Sequence, residues 1–110
     1  MGQFVKGDVV VVPFPFSNLR EAKRRPALIV NTLPGDDLIL CQITSRTVTD
    51  SDAVPIEDRD FAAGSLKQPS NIRPNRLFTA DRAIVLYRVG CVRDVKLEEV
   101  VVRLIAILRR

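Results

Sequence analysis

Apolar residues come in short runs separated by polar or proline-containing stretches, a pattern typical of a small β protein. A continuous β-branched run at residues 8–12 predicts a strand buried on both faces. Residues 26–30 and 38–43 predict two more strands. The turn signal Pro34-Gly35 between them predicts a hairpin, because proline sets φ and glycine accepts a positive φ.

The remaining apolar stretches are shorter and more interrupted. Residues 54–56 predict an edge strand, because Pro55 cannot donate to a ladder. Residues 70–79 predict two short extended pieces, and residues 83–92 predict a strand or two broken at Gly90. Three stretches predict loops because they are polar, charged or contain breakers: residues 13–25, 47–53 and 57–68.

One segment has helical periodicity. Residues 96–108 predict an amphipathic helix with Asp94 as its cap and acidic residues in its first turn. Its apolar stripe comprises Leu97, Val100, Val101, Leu104, Ile105 and Leu108. The elements together predict a mainly β (α+β) fold, a small barrel-like sheet closed by a C-terminal α-helix.

Composition narrows the class. The 110 residues suit one domain, 1–110, and a hydrophobic content of 46% is enough for one buried core. The net charge of +4 indicates a polyanionic partner such as nucleic acid or an acidic protein segment, although a merely soluble basic surface would give the same number. There is no histidine, so any phosphodiester cleavage must proceed without an imidazole acid or base.

Several kinds of chemistry are disfavoured. Cys41 and Cys91 are too far apart and too isolated to form a metal site, and both sit in apolar runs that predict free thiols in a reducing cytosol. No cofactor motif is present. No apolar run is long enough to span a bilayer, and no signal peptide is evident, which predicts a cytoplasmic protein without a membrane partner.

Three polar clusters are candidates for binding a phosphate. Two arginines precede Pro26, which keeps the second of them extended; hydroxyls follow the third predicted strand; and a mixed cluster lies around Pro74. Each alone is as readily a solvated charge run or a strand end. Phe14, Phe16 and Phe78 are candidates for stacking on bases, although at least one is expected inside the core.

The order of these clusters resembles the MazF/PemK family of toxins from bacterial toxin–antitoxin modules. The resemblance covers nearly the whole chain. It rests on the ordered set Gly7-Asp8-Val9-Val10, Arg25-Pro26-Ala27-Leu28-Ile29-Val30, Ile43-Thr44-Ser45, Ser70 with Ile72-Arg73-Pro74, Leu77-Phe78-Thr79 to Asp81, and Gly90 before a C-terminal helix.

The resemblance implies an SH3-like barrel, usually a homodimer, that cuts single-stranded mRNA without a metal or cofactor. The ribose 2′-OH would attack the adjacent phosphate and leave a 2′,3′-cyclic phosphate and a 5′-OH. The family's catalytic arginine and threonine fall on Arg25 and Thr44. RNA contacts are expected at Phe16, Ser17, Arg24, Ser45, Arg46, Ser70, Arg73, Asn75 and Arg76. The implied partner is a cognate antitoxin whose acidic C-terminal segment covers the RNA groove.

The chain departs from the family pattern at two places. Asn75 stands where some members have an acidic residue, and the first loop lacks a histidine that some members carry. An asparagine cannot act as a general base, so the expected chemistry reduces to Arg25 and Thr44. Two other hypotheses stay open: a non-catalytic poison of the gyrase-inhibitor (CcdB) type with a similar barrel, and an RNA-binding module that has lost cleavage.

Overall fold

A curled antiparallel sheet of seven strands forms the body of the protein in a computed structural model that describes residues 3–15 and 22–110. The strands are β1 (Asp8–Pro15), β2 (Ala22–Thr32), β3 (Asp37–Thr44), β4 (Val54–Ile56), β5 (Phe61–Gly64), β6 (Ser70–Asp81) and β7 (Tyr87–Val92), followed by helix α1 (Asp94–Arg109). Their order across the sheet is β4-β6-β3-β2-β1-β7-β5. The mainly β fold with a C-terminal helix is therefore confirmed.

Two hydrophobic clusters lie on opposite faces of the curled sheet. Because strand side chains alternate between faces, the concave side collects Val9, Leu28, Cys41, Ile43, Val54, Ile56, Phe61, Ile72, Val92 and Val100 of α1. Both edge strands contribute to this cluster, so the curl brings the sheet edges to one core. The other face carries Val10, Val12, Ala27, Ile29, Leu38 and Leu40, covered in part by Phe4, Phe14 and Phe78.

Helix α1 closes the concave side, but its predicted details are only partly right. Val100 is fully buried, and Leu97 and Leu104 pack against the core cluster. Ile105 and Leu108 at the far end of the predicted stripe are 48% and 76% exposed. The predicted cap at Asp94 is wrong: Arg93 is the N-cap, without a side-chain cap, and Asp94 is the first helical residue.

The first predicted loop is wrong where the structure describes it. Instead of a loop over residues 13–25, β1 continues to Pro15 and β2 begins at Ala22, and the two strands pair along this length. Proline is tolerated here because β7 pairs with β1 only as far as Val11. The Val11 carbonyl accepts a hydrogen bond from Leu86 N–H, so the backbone polar groups of Val11 point away from β2. Because these groups alternate along a strand, the nitrogens of Pro13 and Pro15 point the same way, to an edge without a paired strand.

Three other predictions need correction. The stretch 57–68 contains a 3₁₀ turn at Asp58–Asp60 and strand β5 rather than loop alone. Residues 70–81 form one strand instead of two pieces, and residues 74–76 bulge out of β6 opposite the step from Cys41 to Gln42 of β3, which absorbs the interruption. Gly90 lies within β7 and does not break it. A glycine is needed there because β5 approaches so closely that a side chain would not fit. The β2–β3 hairpin and the edge strand at 54–56 are confirmed.

Candidate functional site

Strands β2 and β3 separate at Pro26. Their ladder ends at the pair Ala27↔Gln42, while β2 continues to pair with β1 alone and β3 with β6 alone. Gly7 N–H donates to the Ile29 carbonyl on the β1 side, so by alternation Pro26 presents its ring nitrogen to β3, where a ladder would need an N–H. The missing donor explains why the strands part there.

A cleft of about 450 Å³ opens where the strands part. Among the described residues it is lined by Val11, Arg24, Arg25, Pro26, Ile43, Ser45, Ser65, Leu66, Lys67, Gln68, Ser70, Tyr87 and Val89, here called the arginine cleft. Three cationic side chains line it, and no Asp or Glu is among these described lining residues. Such a surface, apolar at its floor and cationic at its rim, suits an anionic ligand that also has an apolar part.

Arg25 and Thr44, the predicted catalytic pair, lie on opposite sides of the strand separation. Ala27 and Gln42 face each other across the ladder, and Arg25 and Thr44 are each two residues further on, so all four share one face of the sheet. Thr44 is buried and does not line the arginine cleft. Its Oγ1 accepts a hydrogen bond from the Arg46 N–H at 3.2 Å, which leaves its own hydroxyl hydrogen free to donate.

The predicted RNA contacts divide into groups. Arg24, Ser45 and Ser70 line the arginine cleft beside Arg25, whereas Arg46 lines an adjoining cleft of about 430 Å³. The Ser70 hydroxyl is already engaged, because it donates to the Gln68 carbonyl at 3.1 Å. Two predicted contacts, Phe16 and Ser17, lie outside the described residues.

Arg73 and Asn75 belong to a separate network centred on Asp50. Asn75 Nδ2 donates to Asp50 Oδ2 at 2.7 Å, and an Arg73 guanidinium nitrogen lies 3.5 Å from the same oxygen. The backbone N–H of Asp52 donates to the other carboxylate oxygen at 2.9 Å. This backbone hydrogen bond, with the contacts from Asn75 and Arg73, holds the pKa of Asp50 below its ordinary value. Arg76 is exposed beside this network.

Sequence reasoning did not find Asp50. It lies 25 positions before Asn75 in a stretch predicted only as a polar loop, so no local spacing connects the two residues. Although Asn75 stands where some family members have an acidic residue, the carboxylate of Asp50 lies in hydrogen-bonding contact with it. Helix α1 holds the same loop, because an Arg103 guanidinium N–H donates to the Ser51 carbonyl at 2.7 Å and Arg110 pairs with Asp52.

Two of the three predicted stacking aromatics are packed against each other, and the third, Phe16, lies outside the described residues. The rings of Phe14 and Phe78 meet edge to face with centroids 4.8 Å apart, on the convex face of the sheet. Tyr87 instead lines the arginine cleft and is half exposed, and sequence reasoning did not single it out.

Cys41 is a buried free thiol, as predicted, and burial raises its pKa to about 12, which keeps it protonated. Within the described part of the chain, no helix has the length and apolarity needed to cross a membrane.

Solved structures share the whole architecture. A MazE–MazF crystal structure from Deinococcus radiodurans superimposes with a TM-score of 0.76 at 20% identity, covering 99% of this chain and 98% of that one. An endoribonuclease in complex with its cognate antitoxin from a mycobacterial species gives 0.73 at 14% identity, with coverages of 97% and 96%. The Mycobacterium tuberculosis toxin MazF-mt6 gives 0.71 at 15%, with coverages of 93% and 96%. These likenesses show the fold.

Membership of a family is shown by a match between the sequence and a protein-family model. Among curated protein sequences none matches at a significant level. A family model described as a PemK-like, MazF-like toxin of type II toxin–antitoxin systems matches residues 5–108, nearly the whole chain. The ordered clusters, the curled sheet and this match agree, and the chain belongs to the PemK-like, MazF-like toxin family of type II toxin–antitoxin systems.

Proposed function

We propose that this toxin is a metal-independent endoribonuclease that cuts single-stranded mRNA in the cytoplasm. The observation that carries the proposal is the arginine cleft, where Arg24, Arg25 and Lys67 line an opening without a described carboxylate, with Thr44 beside it. Such a surface accepts a polyanion. The neighbour whose name says endoribonuclease supports the same reading, because it has the same fold over nearly all of its length.

In the proposed reaction the ribose 2′-OH attacks the adjacent phosphorus and the 5′-oxygen leaves. The products are a 2′,3′-cyclic phosphate and a 5′-OH. Arg25 stabilises the charge that develops on the non-bridging oxygens, since an arginine is too weak an acid to exchange protons readily near neutral pH. One such donor typically contributes about 3–4 kcal/mol to transition-state stabilisation.

Thr44 is proposed to donate its hydroxyl to a non-bridging oxygen or to orient the 2′-OH. The hydrogen bond that it accepts from Arg46 N–H fixes the position of Oγ1 and leaves the O–H as a donor. With no histidine in the chain and Asn75 in place of an acid, water is proposed to carry the protons. The expected enzyme is therefore slow.

The proposed regulator is a cognate antitoxin with an acidic segment that occupies the arginine cleft. An acidic segment complements the three cationic lining residues, and one of the similar structures is an endoribonuclease in complex with its cognate antitoxin. We also propose that the toxin acts as a homodimer. Size determination of the free toxin by light scattering tests this, and a monomer that retains full activity would refute it.

The direct test is incubation of the purified toxin with a long single-stranded RNA in EDTA, followed by end-group analysis. We expect fragments with 2′,3′-cyclic phosphate and 5′-OH ends, and no cutting of DNA of the same sequence, which lacks the nucleophile. A folded protein that leaves RNA intact would refute the proposal. It would favour instead a protein-targeting poison of the gyrase-inhibitor type or an RNA-binding module without catalysis.

A further inference from the structure

Tyr87 occupies an unusual position in the arginine cleft. It pairs with Val11 across β1 and β7, so its side chain is on the same face of the sheet as the apolar cleft floor. It is 50% exposed, and within the described part of the chain its hydroxyl has no hydrogen-bonding partner. A large ring that lies outside the core, is half exposed and makes no hydrogen bond to the described residues is available to stack on a ligand.

The other described aromatic rings are engaged elsewhere. Phe14 and Phe78 pack on each other, and Phe61 is buried in the concave core. Phe4 lies under the guanidinium of Arg88, with 5.2 Å between the guanidinium carbon and the ring centroid. Tyr87 is thus the one described aromatic side chain that lines the arginine cleft.

The surroundings of Tyr87 combine an apolar floor with donors and cations. Val89 and Leu66 contribute to the floor, and Gln68 contributes an amide that can both donate and accept. Arg24 lies on β2, two strands from Tyr87, which corresponds to roughly 10 Å between backbones. An arginine side chain and one nucleotide together can bridge this span.

The segment that carries Gln68 is held at two points. Leu66 packs against the concave core, and the Ser70 hydroxyl donates to the Gln68 carbonyl at 3.1 Å. The same segment separates the arginine cleft from a neighbouring cleft that contains Glu57 and Asp58. Arg59 and Lys67 also line that neighbouring cleft and offset its two carboxylates, whereas the arginine cleft has three cations and no described carboxylate. Charge therefore favours the Tyr87 side for a polyanion.

We propose that Tyr87 stacks on a base of the bound RNA next to the cleaved phosphate, and that the Gln68 amide contacts the edge of that base. The two residues would then determine sequence preference. This inference rests on the proposed ribonuclease function and specifies a subsite within it. It assigns base stacking to a tyrosine on β7 in place of Phe14 and Phe78, which pack on each other.

The binding test uses Tyr87 itself as the probe. The chain has one tyrosine and no tryptophan, so its intrinsic fluorescence reports this side chain alone. Titration with a fully 2′-O-methylated RNA, whose blocked 2′ positions prevent cleavage, should quench the emission as the base stacks. An abasic strand with the same backbone should bind through its phosphates without quenching, and free tyrosine amide corrects for absorption by the RNA.

Two results of the titration would overturn the inference. One is binding of the methylated RNA, detected by anisotropy of a labelled strand, without any change in tyrosine emission. The other is an emission change that depends on protein concentration in the absence of RNA, which would show that a second copy of the chain covers Tyr87.

The cleavage test compares variants on a random-sequence RNA pool, with sequencing of the 5′-OH ends. Tyr87→Ala should lower kcat/KM by roughly 5- to 150-fold, the range for loss of one stacked base, and relax the preference at one position. Tyr87→Phe, which keeps the ring, should retain the preference. Gln68→Ala should alter the preference at the same position as Tyr87→Ala.

Leu86→Ala is the matched control, because Leu86 is also about half exposed, adjoins Tyr87 and does not line the arginine cleft. If the wild-type protein neither binds nor cuts RNA, the proposed function fails. If the wild type cuts and Tyr87→Ala cuts the same bonds at the same rate, the function stands and the Tyr87 subsite is refuted.

Discussion

The two halves of strand β2 have contrasting environments. Residues 27–32 pair with β3, the first two of them pair with β1 as well, and their buried members are apolar, with Leu28 on one face of the sheet and Ile29 on the other. Residues 22–26 pair with β1 alone and carry the arginines of the cleft. Residues 27–32, here called the paired half, belong to the core through their pairing with β3. Residues 22–26, here called the open half, have lost β3 as a neighbour and are accessible to a ligand.

The largest expected effect comes from disrupting the core to which the paired half contributes Leu28. Leu104→Asp places a carboxylate against the concave core, and an unpaired buried charge costs about 3–5 kcal/mol, a large part of the stability of a domain this small. We expect urea denaturation to show severe destabilisation or an unfolded protein.

Ile105→Asp is the control for the helix, because Ile105 is the next residue along α1 and is 48% exposed. It should stay folded, with a denaturation midpoint close to that of the wild type. A stable, fully toxic Leu104→Asp protein would contradict the packing of α1 on the core.

Removing the chemistry of the open half should leave the fold intact. Arg25→Ala and Thr44→Ala are each expected to lower the cleavage rate by about 10²- to 10³-fold, with the thermal midpoint nearly unchanged. Arg109→Ala, at the exposed end of α1, is the matched loss of one positive charge and should cut normally. Wild-type rates in both site variants would show that the catalytic residues lie elsewhere.

A single added methyl group should disturb the contact between β5 and β7. A Cβ at Gly90 would lie 2.3 Å from the Ala63 carbonyl oxygen, and backbone cannot yield as a flexible side chain can. Gly90→Ala should therefore destabilise the protein by about 1–3 kcal/mol in urea denaturation.

Gly35→Ala provides the comparison, since nothing lies within 4 Å of its Cβ and only its φ of +88° opposes a side chain. Its expected cost is about 1–2 kcal/mol. A loss well below about 1 kcal/mol in Gly90→Ala would argue against the close approach of β5 and β7.

The smallest effect concerns pH and the loop beside the open half. The pKa of Asp50 is lowered in the folded protein, so its carboxylate contributes stability above its unfolded pKa of about 3.9. That contribution disappears as pH falls through the lowered folded value. Asp50→Asn should be slightly less stable at neutral pH and equal to the wild type in strong acid.

Thermal midpoints between about pH 2 and about pH 7 measure this difference. Asp58→Asn, at an exposed carboxylate of the 3₁₀ turn, should shift the midpoint less. A constant gap between Asp50→Asn and wild type over the whole range would show that the ionised carboxylate of Asp50 is not what stabilises the loop.

The paired half was predictable from the sequence and the open half only in part. The runs at 8–12, 26–30 and 38–43 are buried on both faces, so composition alone indicates strands. The segments 22–25 and 61–64 are strands because of long-range partners, β1 and β7, which no local pattern reveals. Pairing across the sequence overrides local polarity there.

The same distinction applies to the site. Arg24 and Arg25 were visible because Pro26 follows them, and the hydroxyls were visible because a strand ends before them. Asp50 and Tyr87 were not, since each reaches its place only through the folded sheet. Local sequence patterns therefore identify the arginines and hydroxyls at and beside the cleft, and tertiary pairing determines which other residues lie near them.

The pairing of β1 with β7 has a consequence for how the protein acquires its activity. Asp8 and Cys91 are partners although about 80 positions separate them in the sequence. Such distant pairing makes folding slow, because loop closure must precede the contacts that reward it. Tyr87 and Val89 of β7 also line the arginine cleft, so a chain that has not yet docked β7 has an incomplete cleft. The cleft is thus complete only after β1 and β7 have paired, and an interaction that delays this pairing would delay formation of the cleft without contacting the arginines.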